Sequence, residues 1–227
     1  LFLSGPTSTG KTELALALGT LFGTPATKDM QNFIILQSRL KDFEQRQQYF
    51  SDTTFILDDA RKSPSYSVCQ SITSLIERFG RSAFAKTGTR LVPIVTGEPQ
   101  VLSGHLSSLR NRFIEVYLNP SEEKMNARKT LIGKVKDNPL PIRTCLLGFI
   151  RFICKDFTSE RLSKEVIRVK EEFHSSFGTQ IYRHHDNLYM HYLGFRLFLY
   201  YGKNLGCLNQ EEYKGYIENY KRILDDI

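Results

Sequence analysis

A chain of 227 residues, 41% hydrophobic with 16 Phe and 11 Tyr, can bury one α/β core plus a smaller appendage and is not a disordered polymer. Its net charge of +7 suits a polyanionic partner without establishing one, since phosphate sites also recruit lysine and arginine. Cys69, Cys145, Cys154 and Cys207 form no C-x-x-C pair, which argues against a zinc site or disulfide framework and for a reducing cytoplasm, and the longest apolar stretch (192–202) is too short and too charged to cross a membrane.

In chain order, Leu1–Leu3 read as the stub of a buried strand, so the chain is expected to be a piece of a longer one. SGPTSTGKT (4–12) follows and matches the phosphate-binding pattern G-x-x-x-x-G-K-[ST]. Such a loop turns successive backbone N–H groups inward at a positive helix terminus. Gly5 and Gly10 allow the required backbone angles, and Thr7, Ser8 and Thr9 keep the loop small between them. Lys11 is positioned to bridge β- and γ-phosphates, and the Thr12 hydroxyl to ligate Mg²⁺. Glu13–Leu21, rich in alanine and leucine, predicts the helix that follows, with Glu13 beside the phosphates.

After a turn at 22–25, residues 30–50 carry apolar side chains at mainly helical spacing. No second strand is recognised between the first helix and residue 53, so segments are expected to be missing from this stretch. TTFILDD (53–59) is a short apolar strand ending in two acids. An acid at that place holds Mg²⁺ beside the phosphates in P-loop ATPases. Asp58 takes this role, and Asp59 occupies the position of the carboxylate that polarises the attacking water. Residues 66–79 predict a helix stopping at Gly80.

RLVPIVTGEP (90–99) predicts a further buried strand ending in Thr96, Gly97 and Glu98. Ligands of open α/β sheets sit outside the carboxyl ends of the strands. Thr96 is therefore a candidate sensor of the γ-phosphate or the attacking water, and Glu98 a group that orients water or pairs with a base. Arg110 and Arg112 precede another alternating strand, RFIEVYL (112–118). An arginine there can reach a neighbouring subunit's nucleotide as a finger, Arg112 ahead of Arg110. From Ser121 onward the pattern is helical, with breaks at Asn138–Pro141 and Gly202–Gly206. Strands alternating with helices imply a parallel sheet, and the tail an all-helical lid.

Taken in order, GPTSTGKT, FILDDA, PIVTGEP and LRNRF resemble the AAA+ ATPase module over residues 1–120. More narrowly, a strand ending in TGE before a helical tail resembles the MCM-like helicases of bacterial mobile elements, including staphylococcal cassette chromosomes. LRNRF is similar to the stretch that holds the finger in MCM proteins, which implies that Arg112 is that finger. Asp58-Asp59 departs from the Asp-Glu of MCM proteins and is closer to superfamily 3 viral helicases, whose sensor strand ends in asparagine instead. The resemblance also implies that GRSAFAKTGTR (80–90) is a pore hairpin. Lys86 would lie near its tip on a phosphate of single-stranded DNA, flanked by Arg81 and Arg90 and supported by Phe84.

The expectation is an α/β P-loop AAA+ core with a parallel sheet (1–120) followed by an all-helical C-terminal lid (121–227), forming a ring, a hexamer in the family's manner. ATP with Mg²⁺ would power translocation on single-stranded and forked DNA in the cytoplasm, for replication of a mobile element. Three alternatives stay open: a superfamily 3-like helicase or AAA+ initiator or loader that binds DNA without unwinding it, a small-molecule kinase, and a non-hydrolysing interaction module. His184, His185 and His191 lie among tyrosines (Tyr182, Tyr189, Tyr192) without metal-ligand partners. The stripe Tyr189, Tyr192, Phe195, Leu199 and Tyr200 has the spacing of a core face.

Overall fold

Five short runs rich in β-branched and aromatic residues become the strands of one parallel sheet. The computed structural model describes residues 1–22, 33–35, 53–60, 91–98, 114–119, 121–177 and 183–225. The strands are β1 (Phe2–Ser4), β2 (Phe33–Ile35), β3 (Thr53–Ala60), β4 (Leu91–Gly97) and β5 (Glu115–Tyr117). Their order is β2-β3-β4-β1-β5, and every pairing is parallel. Phe2 pairs with both Val95 and Glu115, and Leu57 with Val95. A parallel sheet covered by helices buries both faces of its central strands, and β3 is accordingly buried along nearly its whole length, around the apolar centre Phe55–Leu57.

Helix α1 (Lys11–Gly19) leaves the phosphate-loop sequence and a single 3₁₀ turn (Thr20–Phe22) closes it. Ala15 and Leu16 pack with Leu3, Ile56 and Ile94, fixing α1 to the sheet. Helix α2 (Glu122–Asp137) follows β5 and packs Ile132 and Val135 on Ala17 of α1. Its first turn carries Glu122 and Glu123 and its last Lys134 and Lys136, the arrangement a helix dipole favours.

The remaining helices are α3 (Leu140–Asp156), α4 (Ser159–Phe177), α5 (Arg183–Asn204) and α6 (Gln210–Asp225). The chain divides into two compact units, Leu1–Thr144 and Cys145–Ile227, so α2, which the sequence grouped with the lid, packs within the first. The first unit combines a parallel sheet with helices, a mixed α/β architecture; the described elements of the second are all helices.

In the second unit Glu172 of α4 ties three helices together. It accepts a hydrogen bond from the Tyr192 hydroxyl at 2.9 Å, pairs with Arg196 one turn further along α5, and meets Lys221 of α6 at 3.3 Å. Tyr192 is fully buried and Leu199 nearly so, while Phe195 stacks on Tyr220 at 4.2 Å, so these members of the aromatic stripe serve the core. Asn209 caps α6, accepting from the Glu211 and Glu212 N–H groups, while Glu212 accepts from the Asn209 N–H. No helix among the described residues is long and apolar enough to cross a membrane.

Two sequence expectations need correction. A strand, β2, does lie between α1 and residue 53, at a place where residues 30–50 looked helical. Its three apolar residues fit either period, and pairing with β3 decides the outcome. The helical tail also breaks at 157–158, which was not anticipated, and α5 runs to Asn204 before Gly206 (φ 72°) ends it. Pro141 does not stop α3, because it sits in the first turn, where the backbone N–H has no intrahelical partner.

Candidate nucleotide site

The site begins where β1 stops. Gly5 (φ 150°), Ser8 (φ 65°) and Gly10 (φ 82°) take positive φ values, and Gly10 is the N-cap of α1. The loop thereby curls around its own concavity instead of running past it. Thr9 donates its hydroxyl to the Pro6 carbonyl at 2.9 Å and stiffens the turn. The Lys11 ammonium donates to the Gly5 and Pro6 carbonyls at 2.9 and 2.7 Å, so it is held over the loop and not extended into solvent.

Three hydroxyl and carboxyl groups from three different elements then converge. Asp58 Oδ1 accepts a hydrogen bond from the Thr12 hydroxyl at 2.7 Å and another from the Thr96 hydroxyl at 2.5 Å. Thr12 stands at the start of α1, Asp58 near the end of β3 and Thr96 near the end of β4. Strand order explains the meeting, because β4 lies between β1 and β3 and delivers Thr96 between the loop and the acid. Asp58 and Thr96 are buried, 7% and 1% exposed, so the bond between them is sheltered from water and stronger for it, while the Thr12 bond is partly buried.

The register of β3 against β4 slips by one residue between Leu57 and Ala60. Asp58 and Asp59 together face Thr96, a β-bulge, and Asp59 adopts φ 64°. The Asp59 N–H donates to the Thr96 hydroxyl at 3.1 Å, so Thr96 holds both acids, one by its proton and one by its lone pair. A non-glycine residue with positive φ is a strained position, and here it is Asp59, the second acid of the strand end. Gly97 completes the bulge. A Cβ on it would stand 2.3 Å from the Ala60 carbonyl oxygen, so only glycine fits.

These groups line a cleft of about 590 Å³. Thr7, Ser8, Thr9, Gly10, Lys11, Thr12, Glu13, Asp58, Asp59, Thr96 and Glu98 are all on its wall, and Gly5 contributes the carbonyl that holds Lys11. The volume falls in the range of about 300–1,000 Å³ usual for small-molecule sites. Sequence reasoning missed the opposite wall, one face of α2 that includes Met125, Arg128, Lys129, Ile132 and Lys136. Arg128 donates to the Asn119 carbonyl at 2.7 Å, Lys136 pairs with Glu13, and the Lys129 side chain has no hydrogen bond or ion pair among the described residues. The signal was present as basic residues at helical spacing after β5, but nothing in the sequence said which helix would face the loop.

Arg112 and Arg110, together with Arg81, Phe84, Lys86 and Arg90 of the 80–90 segment, lie outside the described residues. The same holds for the helix expected at 66–79 and for Cys69. His191 is exposed on α5. No protein family, curated protein or solved structure matches this chain.

Proposed function

We propose that this chain is an ATP-hydrolysing motor of the AAA+ kind, working as a ring, a hexamer by family resemblance, that moves along single-stranded DNA and unwinds forked DNA. The observation that supports it most is the double hydrogen bond at Asp58 Oδ1, which joins the phosphate-loop threonine to the acid strand and the polar-ended strand. A phosphate loop alone would serve many nucleotide binders. A buried acid shared between Thr12 and Thr96, followed by a second acid in a strained bulge, suits hydrolysis.

In this reading the N–H groups at the start of α1 and the loop backbone from Gly5 to Thr12 receive the phosphates. Lys11 exchanges the Gly5 and Pro6 carbonyls for β- and γ-phosphate oxygens. The Thr12 hydroxyl and the Asp58 carboxylate are hard oxygen donors and fit Mg²⁺, which when bound supplies charge neutralisation on those oxygens. Asp59 orients and deprotonates the attacking water, and Thr96 transmits the state of the site between the two acids. Met125 and Ile132 of α2 offer an apolar wall for the base. Arg112 of a neighbouring subunit completes the site in trans, and Lys86 with Arg81 and Arg90 grips the strand; these roles rest on the resemblance.

The test is subunit mixing. Lys11→Ala leaves a finger without a working site, and Arg112→Ala leaves a site without a finger. Rings mixed from the two should regain part of the ATPase that each has lost. A mixture as inactive as either parent, with mixed rings demonstrated, removes the ring motor. Hydrolysis and DNA binding without strand displacement on a forked substrate would point instead to an initiator or loader.

A further inference from the structure

The second unit holds a pocket that the nucleotide site does not use. It lies among α4, α5 and α6, has a volume of about 210 Å³, and its wall includes Arg161, Arg168, Arg196, Glu165, Phe157 and Tyr213. Glu165 pairs with Arg168 and Glu172 with Arg196, so one of the three guanidinium charges, that of Arg161, is left without a carboxylate partner among the described residues. A net positive charge on the wall favours an approaching anion.

Each arginine is held by one or two neighbouring groups. Arg161 lies over the Phe157 ring at 4.5 Å and donates to the Asp156 carbonyl at 2.6 Å. Arg168 is bonded through Nε and one terminal nitrogen to Glu165. Arg196 is anchored by Glu172, with its side chain only 12% exposed, and its Nε makes no hydrogen bond. A guanidinium has five N–H donors in a rigid fork, so all three keep donors beyond those their neighbours use, those of Arg161 and Arg168 on exposed side chains. Such forks recognise phosphate oxygens.

The size of the pocket narrows the ligand. It is below the range of about 300–1,000 Å³ usual for small-molecule sites, yet it has room for one oxyanion. A polymer that carries an anionic group on every unit can insert one of them and leave the rest outside. Half-buried Phe157 and Tyr213 add ring surface beside the charge, and the pairing of aromatic rings with arginine is the usual arrangement for single strands. We propose that this pocket binds a phosphodiester group of single-stranded nucleic acid. The partner rests on the DNA reading above; the phosphate chemistry does not.

The experiment measures binding of a fluorescein-labelled oligo-dT to the whole chain by anisotropy across a KCl series, for the parent and for Arg161→Gln, Arg168→Gln and the double variant. The double variant should bind about tenfold more weakly, the worth of a charge-assisted contact. Its log K against log [KCl] should be shallower by about 0.7, the release of one phosphate contact on a single strand. Its ATPase without DNA and its thermal melting should match the parent; if the double variant melts early, the single variants carry the comparison. Parent-like affinity and salt slope in the variants overturn the pocket while leaving the motor reading intact. No strand binding by the parent overturns both. Calorimetric binding of inorganic phosphate that the variants lose, with strand affinity unchanged, assigns the site to a free oxyanion and overturns the strand.

Discussion

Replacing Thr96 with valine keeps the shape of the side chain and deletes the hydroxyl that holds both acids. The Asp58 carboxylate loses one of its two hydroxyl donors, the bond of 2.5 Å, while Thr12 remains. The Asp59 N–H loses its acceptor at 3.1 Å inside a bulge that is otherwise strained. A hydrogen bond to a charged group contributes about 1.5–3 kcal/mol, and orphaning a donor as partly buried as the Asp59 N–H adds less than that. The two share one hydroxyl, so they do not add in full, and a net loss of about 2–3 kcal/mol is expected. For a unit the size of Leu1–Thr144 this lowers the melting temperature by roughly 5–10 °C. Turnover should fall further than nucleotide affinity, because Asp59 loses the hydrogen bond to Thr96 while the loop and Lys11 are unchanged. The chain has no tryptophan, so calorimetry or circular dichroism is the suitable melting assay, alongside steady-state ATPase and nucleotide titration. Thr96→Ser should recover most of both properties. A valine variant that melts and turns over like the parent would refute the bridging role of Thr96.

Asp59→Asn should retain Mg·ATP binding and lose turnover; hydrolysis at the parent rate would move water activation to another group, with Glu98 on the same cleft wall the next to test. Gly97→Ala should unfold or strongly destabilise the first unit, since its Cβ would meet the Ala60 carbonyl at 2.3 Å, whereas Gly215→Ala, with open space around it, should gain about 0.5–1 kcal/mol; equal melting of the two variants contradicts the close approach. Burial by itself raises the Glu172 pKa, but the Tyr192 hydroxyl, Arg196 and Lys221 outweigh it and hold the carboxyl below its ordinary value of 4.5. Its stabilising contribution is therefore complete above that value and lost as the pH falls below it. Melting of the second unit should drop on acidification in the parent and drop less in Glu172→Gln, and identical acid profiles would remove Glu172 as the cause.

Local chemistry made the phosphate loop legible in the sequence. Gly10, Lys11 and Thr12 have their positions set by neighbours within a few residues, so spacing alone exposes them. The acid pair Asp58-Asp59 and the TGE ending were legible for the same reason, each being the polar end of an apolar strand. That these ends meet was a tertiary decision. It depends on β4 inserting between β1 and β3, which no local pattern states. The bulge that turns Asp59 to positive φ was equally hidden, because it arises from a one-residue register difference between two strands far apart in sequence. Strand β2 was missed because three apolar residues satisfy a helical or an extended period alike, and only the edge of β3 chooses between them. The α2 wall of the cleft and the arginine pocket of the second unit belong to the same class. Arginines and lysines are scattered throughout a chain of +7, and which of them share a cavity is fixed by helix packing, where burial of apolar faces brings remote charges together.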